Sequence, residues 1–207
     1  GSRLERTIAL VGMMGVGKST VGRKLAESLS AGFVDSDEEI EKAAGLTVQE
    51  IFERLGEPEF RRGERRVIER LVAGPPIVLA TGGGAFMDAG TRALLKEKAT
   101  TVWLRAELDV IWKRVSRRDT RPLLKRENPK QVLADLAAAR APVYAEADIV
   151  VDSGDAPAGE IGHGAERGRA VQAALGRCRP GPARQKRLLA GADHEEQRHH
   201  EDGYGHP

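Results

Sequence analysis

The string GMMGVGKST, residues 12–20, matches the phosphate-loop pattern Gly-x4-Gly-Lys-Ser in full. Gly12, Gly15 and Gly17 free the backbone to turn successive N–H groups inward around phosphate oxygens. Val16 and Thr20 complete the candidate nucleotide-binding segment with Lys18 and Ser19. Lys18 is placed to reach the β- and γ-phosphates, and the Ser19 hydroxyl to ligate Mg²⁺. A strand-like TIALV precedes the loop and a helical pattern from Ser19 to Leu29 follows it. The helix N-terminus adds positive potential for an anion.

The loop alone fixes no reaction. A guanine-reading Asn-Lys-x-Asp is missing from the chain, and the one Asp-x-x-Gly string, at residues 202–205, lies at the far end of the sequence and not after a strand-like run. The chemistry must therefore be read from other strand ends. DSD closes the second apolar run, and Asp35 and Asp37 share a face if the chain is extended there. The alternative is an Asx turn that caps the helix EEIEKAAG. GEPEFRRGE supplies Arg61 and Glu64 amid other charges, a pattern that also fits a solvated helix face. An acceptor bearing a carboxylate favours planar, bidentate arginine partners.

The elements that must hold these groups alternate between strand and helix. GFVDSD, PIVLA running into TGGG, TTVWL and DIVVD read as four further strands. Thr47 and Glu50 form a capping box for a long helix that breaks near Gly56-Glu57-Pro58. KQVLADLAAARAPVYAEA reads as a helix interrupted at Pro142, and Trp103 and Trp112 as packing residues. The pattern implies an α/β fold with a parallel sheet covered on both faces. The charged segment DTRPLLKRENP lies between two prolines and suits a lid over about 119–127.

A length of 207 residues favours one domain with an appendage. The net charge of +2 gives no overall pull toward nucleic acid or membrane. The one cysteine, Cys178, excludes an internal disulfide. No apolar run approaches the ~20 residues of a membrane span. The opening GSRLER has no apolar signal region, so a cytoplasmic setting is expected. Composition breaks near residue 153, giving a unit of alternating strands and helices over 1–152 and a Gly-, Arg- and His-rich tail over 153–207. All five histidines fall in that tail, and its scarcity of apolar residues makes disorder the expectation there. AERGRAVQAAL is the exception, a candidate short helix able to dock on the body.

GMMGVGKST, DSD, IFERLGEPEFRRGE, TGGGA, RDTRPLL and RAPVY, in this order and spacing, resemble the shikimate kinase family over roughly residues 7–152. The resemblance implies a three-layer P-loop kinase fold, a five-stranded sheet in the order 2-3-1-4-5 and a lid. It implies transfer of the γ-phosphoryl of ATP to the 3-hydroxyl of shikimate, with Mg²⁺, by a monomer that binds neither nucleic acid nor membrane. Asp37 then matches the candidate base at the accepting hydroxyl and Asp35 the acid near Mg²⁺. Arg61 and Arg140 match a carboxylate clamp, and Glu64 an acid supporting Arg61. Gly82, Gly83 and Gly84 match the backbone that approaches shikimate. Arg121 matches a lid arginine over the phosphates. Arg114 and Pro157 match residues beside adenine. A related gluconate kinase, or a nucleotide-binding protein without catalysis, remain the competing readings.

Overall fold

A computed structural model describes residues 4–117, 127–153, 162–177 and 186–187 of the chain. The central strands are β1 (Thr7–Val11), β2 (Gly32–Asp35), β3 (Ile77–Ala80), β4 (Ala99–Ala106) and β5 (Ile149–Ser153). They lie in the order β2-β3-β1-β4-β5, the 2-3-1-4-5 order implied by the resemblance. A two-residue strand, β6 (Lys186–Arg187), adds to the β5 edge. All pairings are parallel; Ile8 meets Val78 on one side of β1 and Thr100 on the other.

Alternation along β1 and β4 splits the core into two layers. Ala9, Val11 and Trp103 face one side, where they pack with Leu79, Phe86, Leu95, Leu133 and Tyr144. Ile8, Leu10, Val102 and Leu104 face the other, with Val21, Leu25, Ile149 and Val171. Helices cover both: α1 (Lys18–Leu29) and α7 (Gly162–Arg177) belong to the second layer, and α7 packs along α1. Val171 and Ala174 of α7 are buried there.

A third, smaller cluster of Ile40, Ile51, Phe60 and Val67 joins α2 (Ser36–Ala44) to α3 (Val48–Ala73). The capping box at the start of α3 is formed: Thr47 N donates to Glu50 Oε2 at 2.8 Å, and Glu50 N donates back to Thr47 Oγ1. The break expected near Gly56 is present as a single residue at φ 79°, ψ 168°.

Two local expectations are corrected. The second strand stops at Asp35, so Asp35 and Asp37 do not lie in one extended run. Asp35 is instead the N-cap of α2 and accepts from Asp37 N at 3.0 Å. Side-chain capping competes with strand extension wherever an Asp precedes a helical pattern, and here the cap wins. The helix α6 (Pro129–Tyr144) is not interrupted at Pro142. That proline falls in its last turn: the bond its missing N–H would have made to Ala138 O is lost, but only two helical residues follow it. Between these elements lie α4 (Ala89–Lys98), capped by Asp88, and α5 (Leu108–Val115). Among the described residues no helix is long and apolar enough to cross a membrane.

Candidate active site

The carboxyl ends of β1, β2 and β3 open onto one edge of the sheet, where ligands of open α/β sheets bind. The phosphate loop leaves β1 there. Gly12, Gly15 and Gly17 have φ of 139°, 77° and 99°, a region that residues with side chains rarely adopt. A Cβ on Gly12 would also stand 2.5 Å from the Leu104 carbonyl oxygen. Lys18, largely buried, donates to Gly12 O at 2.8 Å and Met13 O at 3.0 Å, so its ammonium closes the loop. Val16 is buried and Thr20 exposed.

Arg114 reaches the same loop from α5. Its Nη1 donates to Val16 O at 3.1 Å, and burial lowers the guanidinium pKa. On the β2 side, Ser19 Oγ donates to Asp35 Oδ2 at 2.6 Å. A hydroxyl and a carboxylate in contact form a hard-oxygen pair.

The glycine turn after β3 forms the other half. Thr81 anchors its start, with N and Oγ1 both donating to Leu10 O. Gly82 N donates to the fully buried Ser36 hydroxyl at 3.1 Å. Arg140 Nη1 donates to Gly83 O at 3.1 Å, and the Tyr144 hydroxyl donates to the same oxygen. Arg61 lies against Gly84, so close that a Cβ there would overlap its guanidinium. Arg61 Nη1 donates to Glu64 Oε2 at 2.6 Å, and Glu64 is fully buried.

Among the described residues, two carboxylate oxygens at this turn lack hydrogen-bond partners, Asp37 Oδ1 and Glu64 Oε1. Both border Gly82: a Cβ there would stand 2.7 Å from the first and 3.1 Å from the second. Burial raises the Asp37 pKa, and the Asp35 charge raises it further, while Lys18 and Arg61 pull it down. Burial likewise raises Glu64, against the pull of Arg61. Unpartnered buried acceptors are costly, so these oxygens are poised to receive a donor. A ligand hydroxyl at Asp37 would supply one.

The structure thus brings together Gly12, Gly15, Val16, Gly17, Lys18, Ser19, Asp35 and Arg114 around the loop. It brings Asp37, Arg61, Glu64, Gly82, Gly83, Gly84 and Arg140 around the glycine turn. Arg121, Pro157 and all of the 119–127 segment except Glu127 lie outside the described residues. Sequence reasoning assigned nothing to Ser36 or Tyr144. Their signals were present: Ser36 stands between the two acids of DSD, and Tyr144 follows Arg140 by four residues, one helical turn.

A phosphate loop and a carboxylate- and arginine-lined turn, at one edge of a 2-3-1-4-5 sheet, define a P-loop phosphotransferase acting on a small molecule. Residues 14–165 match the family model described as Shikimate kinase. A shikimate kinase of Caulobacter vibrioides is 59% identical over 152 residues, covering 73% of this chain and 76% of that protein. One of Paramagnetospirillum magneticum is 56% identical, covering 74% and 78%. The solved shikimate kinase of Acinetobacter baumannii, in complex with shikimate, has a TM-score of 0.76 at 39% identity, covering 82% of this chain and 92% of that one. This chain belongs to the shikimate kinase family.

Proposed function

We propose that the chain transfers the γ-phosphoryl group of ATP to the 3-hydroxyl of shikimate, with the two halves of the site dividing the work. One observation carries this function. An anion-binding loop and a turn flanked by Asp37, Arg61 and Arg140 open at the same sheet edge, in a member of the shikimate kinase family. The Acinetobacter relative is described in complex with shikimate, and that likeness names the acceptor here.

Arg61 and Arg140 hold the acceptor's carboxylate, for which a planar fork is suited. Glu64 keeps the Arg61 fork turned toward the turn. The backbone of Gly82, Gly83 and Gly84 admits the ring closely because it carries no side chains. Asp37 receives the proton of the attacking hydroxyl. That oxygen bonds to the γ-phosphorus as the bond to the bridging oxygen of ADP breaks, and ADP departs. Lys18 exchanges the Gly12 and Met13 carbonyls for the phosphates and offsets their charge. Arg114 serves the adenine side as well as the loop. Arg121 is assigned to the phosphates from the RDTRPLL motif, and Pro157 to the adenine side from the family resemblance alone. Every group named comes from one chain, so a monomer suffices.

The residues present fit Mg²⁺. Ser19 and Asp35 are hard oxygen donors in contact. Among the described residues no group of three or more His, Cys, Asp or Glu side chains gathers as a metal cage. Mg²⁺ commonly uses one or two protein oxygens and completes its shell with water and substrate phosphates. Ser19 and Asp35 would hold it, and when bound it neutralises charge on the phosphate oxygens.

A coupled assay of ADP release tests the reaction, run with shikimate, with gluconate and with no acceptor. Release that depends on shikimate is expected. Equal release with gluconate, or without any acceptor, would overturn the assignment.

A further inference from the structure

Tyr144 ends α6 and is 1% exposed. Its ring stacks on Trp103, with centroids 5.7 Å apart and planes 28° from parallel. Its oxygen lies 4.0 Å from Met13 Sδ at the root of the phosphate loop. The phenol is thus packed in the core while its hydroxyl emerges at the glycine turn. There it donates to the Gly83 carbonyl oxygen. Burial pushes the phenol pKa up, so the hydroxyl keeps its proton at neutral pH.

A carbonyl oxygen offers two lone pairs. On Gly83 one receives Tyr144, and the other receives Arg140 Nη1 at 3.1 Å. Arg140 and Tyr144 sit one turn apart on α6 and converge on that one atom. From the opposite side, Ser36 holds the neighbouring Gly82 amide. Gly82, Gly83 and Gly84 carry no side chains; Ala85 N donates to Gly82 O and Met87 N to Gly84 O, while the Gly83 carbonyl is held by side chains from outside the turn.

We propose that Tyr144 is a positioning residue for the acceptor: its hydroxyl fixes the Gly83 carbonyl and, through that shared oxygen, the place of the Arg140 guanidinium. This rests on the assignment of Arg140 to the carboxylate clamp. Without the hydroxyl, Arg140 becomes the single side-chain donor to Gly83 O among the described residues. Its guanidinium must then serve the turn and the acceptor together. Simple core packing gives a different expectation. The ring and its stack on Trp103 survive in Tyr144→Phe, so a packing role predicts no change in acceptor binding.

The test is a double-mutant cycle on the full chain: wild type, Tyr144→Phe, Arg140→Lys and the double variant. Shikimate KM, ATP KM, kcat and the thermal midpoint are measured for each. Tyr144→Phe should raise shikimate KM about three- to tenfold, the scale of one lost hydrogen bond. ATP KM should stay within about twofold. In the Arg140→Lys background the same change should have a smaller effect, because the two act through one oxygen. Amide resonances of Gly83 and Gly84 should shift in folded Tyr144→Phe, which reports the turn without turnover. If Arg140→Lys weakens shikimate while Tyr144→Phe leaves KM and those resonances unchanged, the positioning role is wrong and the clamp stands. If the two effects multiply, Tyr144 does not act through Arg140. If Arg140→Lys leaves shikimate KM unchanged, the clamp assignment itself falls, and the proposal with it.

Discussion

Ser19 and Asp35 are joined by a hydrogen bond of 2.6 Å between the end of the phosphate loop and the end of β2. Asp35 therefore has two duties. Its Oδ2 meets Ser19, and its Oδ1 caps α2 through the Asp37 amide. Substitutions can separate them. Asparagine caps helices well but carries no charge, whereas alanine does neither. Asp35→Asn should keep the thermal midpoint and raise the Mg²⁺ concentration needed for half-maximal turnover. Asp35→Ala should show the same Mg²⁺ defect and lose about 1 kcal/mol of stability as well. An Asn variant with a wild-type Mg²⁺ titration would remove Asp35 from the metal side.

Arg61→Lys and Arg140→Lys keep the charge and lose the fork. Each should weaken shikimate binding by roughly 1.5–3 kcal/mol, the scale of a charge-assisted hydrogen bond. That is roughly ten- to hundredfold in KM. ATP KM should change little. For Arg61 the lysine ammonium still offers buried Glu64 a partner, so the fold should survive. Unaltered shikimate KM in both enzymes would put the carboxylate elsewhere.

Gly84→Ala tests the same clamp from the backbone. The new methyl would overlap the Arg61 guanidinium, the far end of a flexible side chain. Arg61 should give way rather than the turn. Circular dichroism and the thermal midpoint should stay near wild type while shikimate KM rises about as far as in Arg61→Lys. A large loss of stability with normal binding would show that the backbone yields instead.

Asp37 links activity and stability in opposite senses. Its carboxyl holds a proton to higher pH than the ordinary value of 3.8, chiefly through burial. Between the unfolded and folded pKa values the native state binds more protons, so stability falls as pH rises through that window. The contribution is full below about 3.8 and gone above the raised value. Asp37→Asn removes the penalty of ionising the buried group. Its thermal midpoint should exceed wild type at pH 8, and the gap should close on acidification. Its kcat should fall about 10²-fold or more, the low end of general-base contributions. In the wild type, kcat should decline as pH falls through the raised pKa. A variant with normal kcat and a raised shikimate KM would leave Asp37 as a binding group alone.

The phosphate loop was legible because its chemistry is local: nine consecutive residues set both the backbone turn and the charges. The sheet was legible because strands buried on both faces read as apolar runs ending in glycine or acid. The relation of Asp35 to Asp37 was legible only as two alternatives, a shared strand face or a helix cap, since a two-residue spacing means one face only while the chain stays extended. The helix cap ended that extension at Asp35, two residues early. The contacts of Tyr144 and Arg140 with Gly83 join residues about sixty positions apart. No periodicity or spacing rule announces a bond of that kind; only the packed fold supplies it. Arg61 and Glu64, three apart on one helix, were within reach of such rules.

Helix α7 belongs to the stretch whose composition departs most from the rest, yet it is built into the body. Gly168 lies against the Leu25 backbone of α1, 3.6 Å from its amide nitrogen if a Cβ were added, and Val171 and Ala174 are sealed in the same layer as Ile8 and Ile149. Leu25 stands two turns along the helix that begins at Lys18. The border of unusual composition is therefore not the border of the packed body. Trimming the chain at the first would peel the cover from the helix that anchors the nucleotide loop, so an edit that looks cosmetic in the sequence would reach the chemistry from behind.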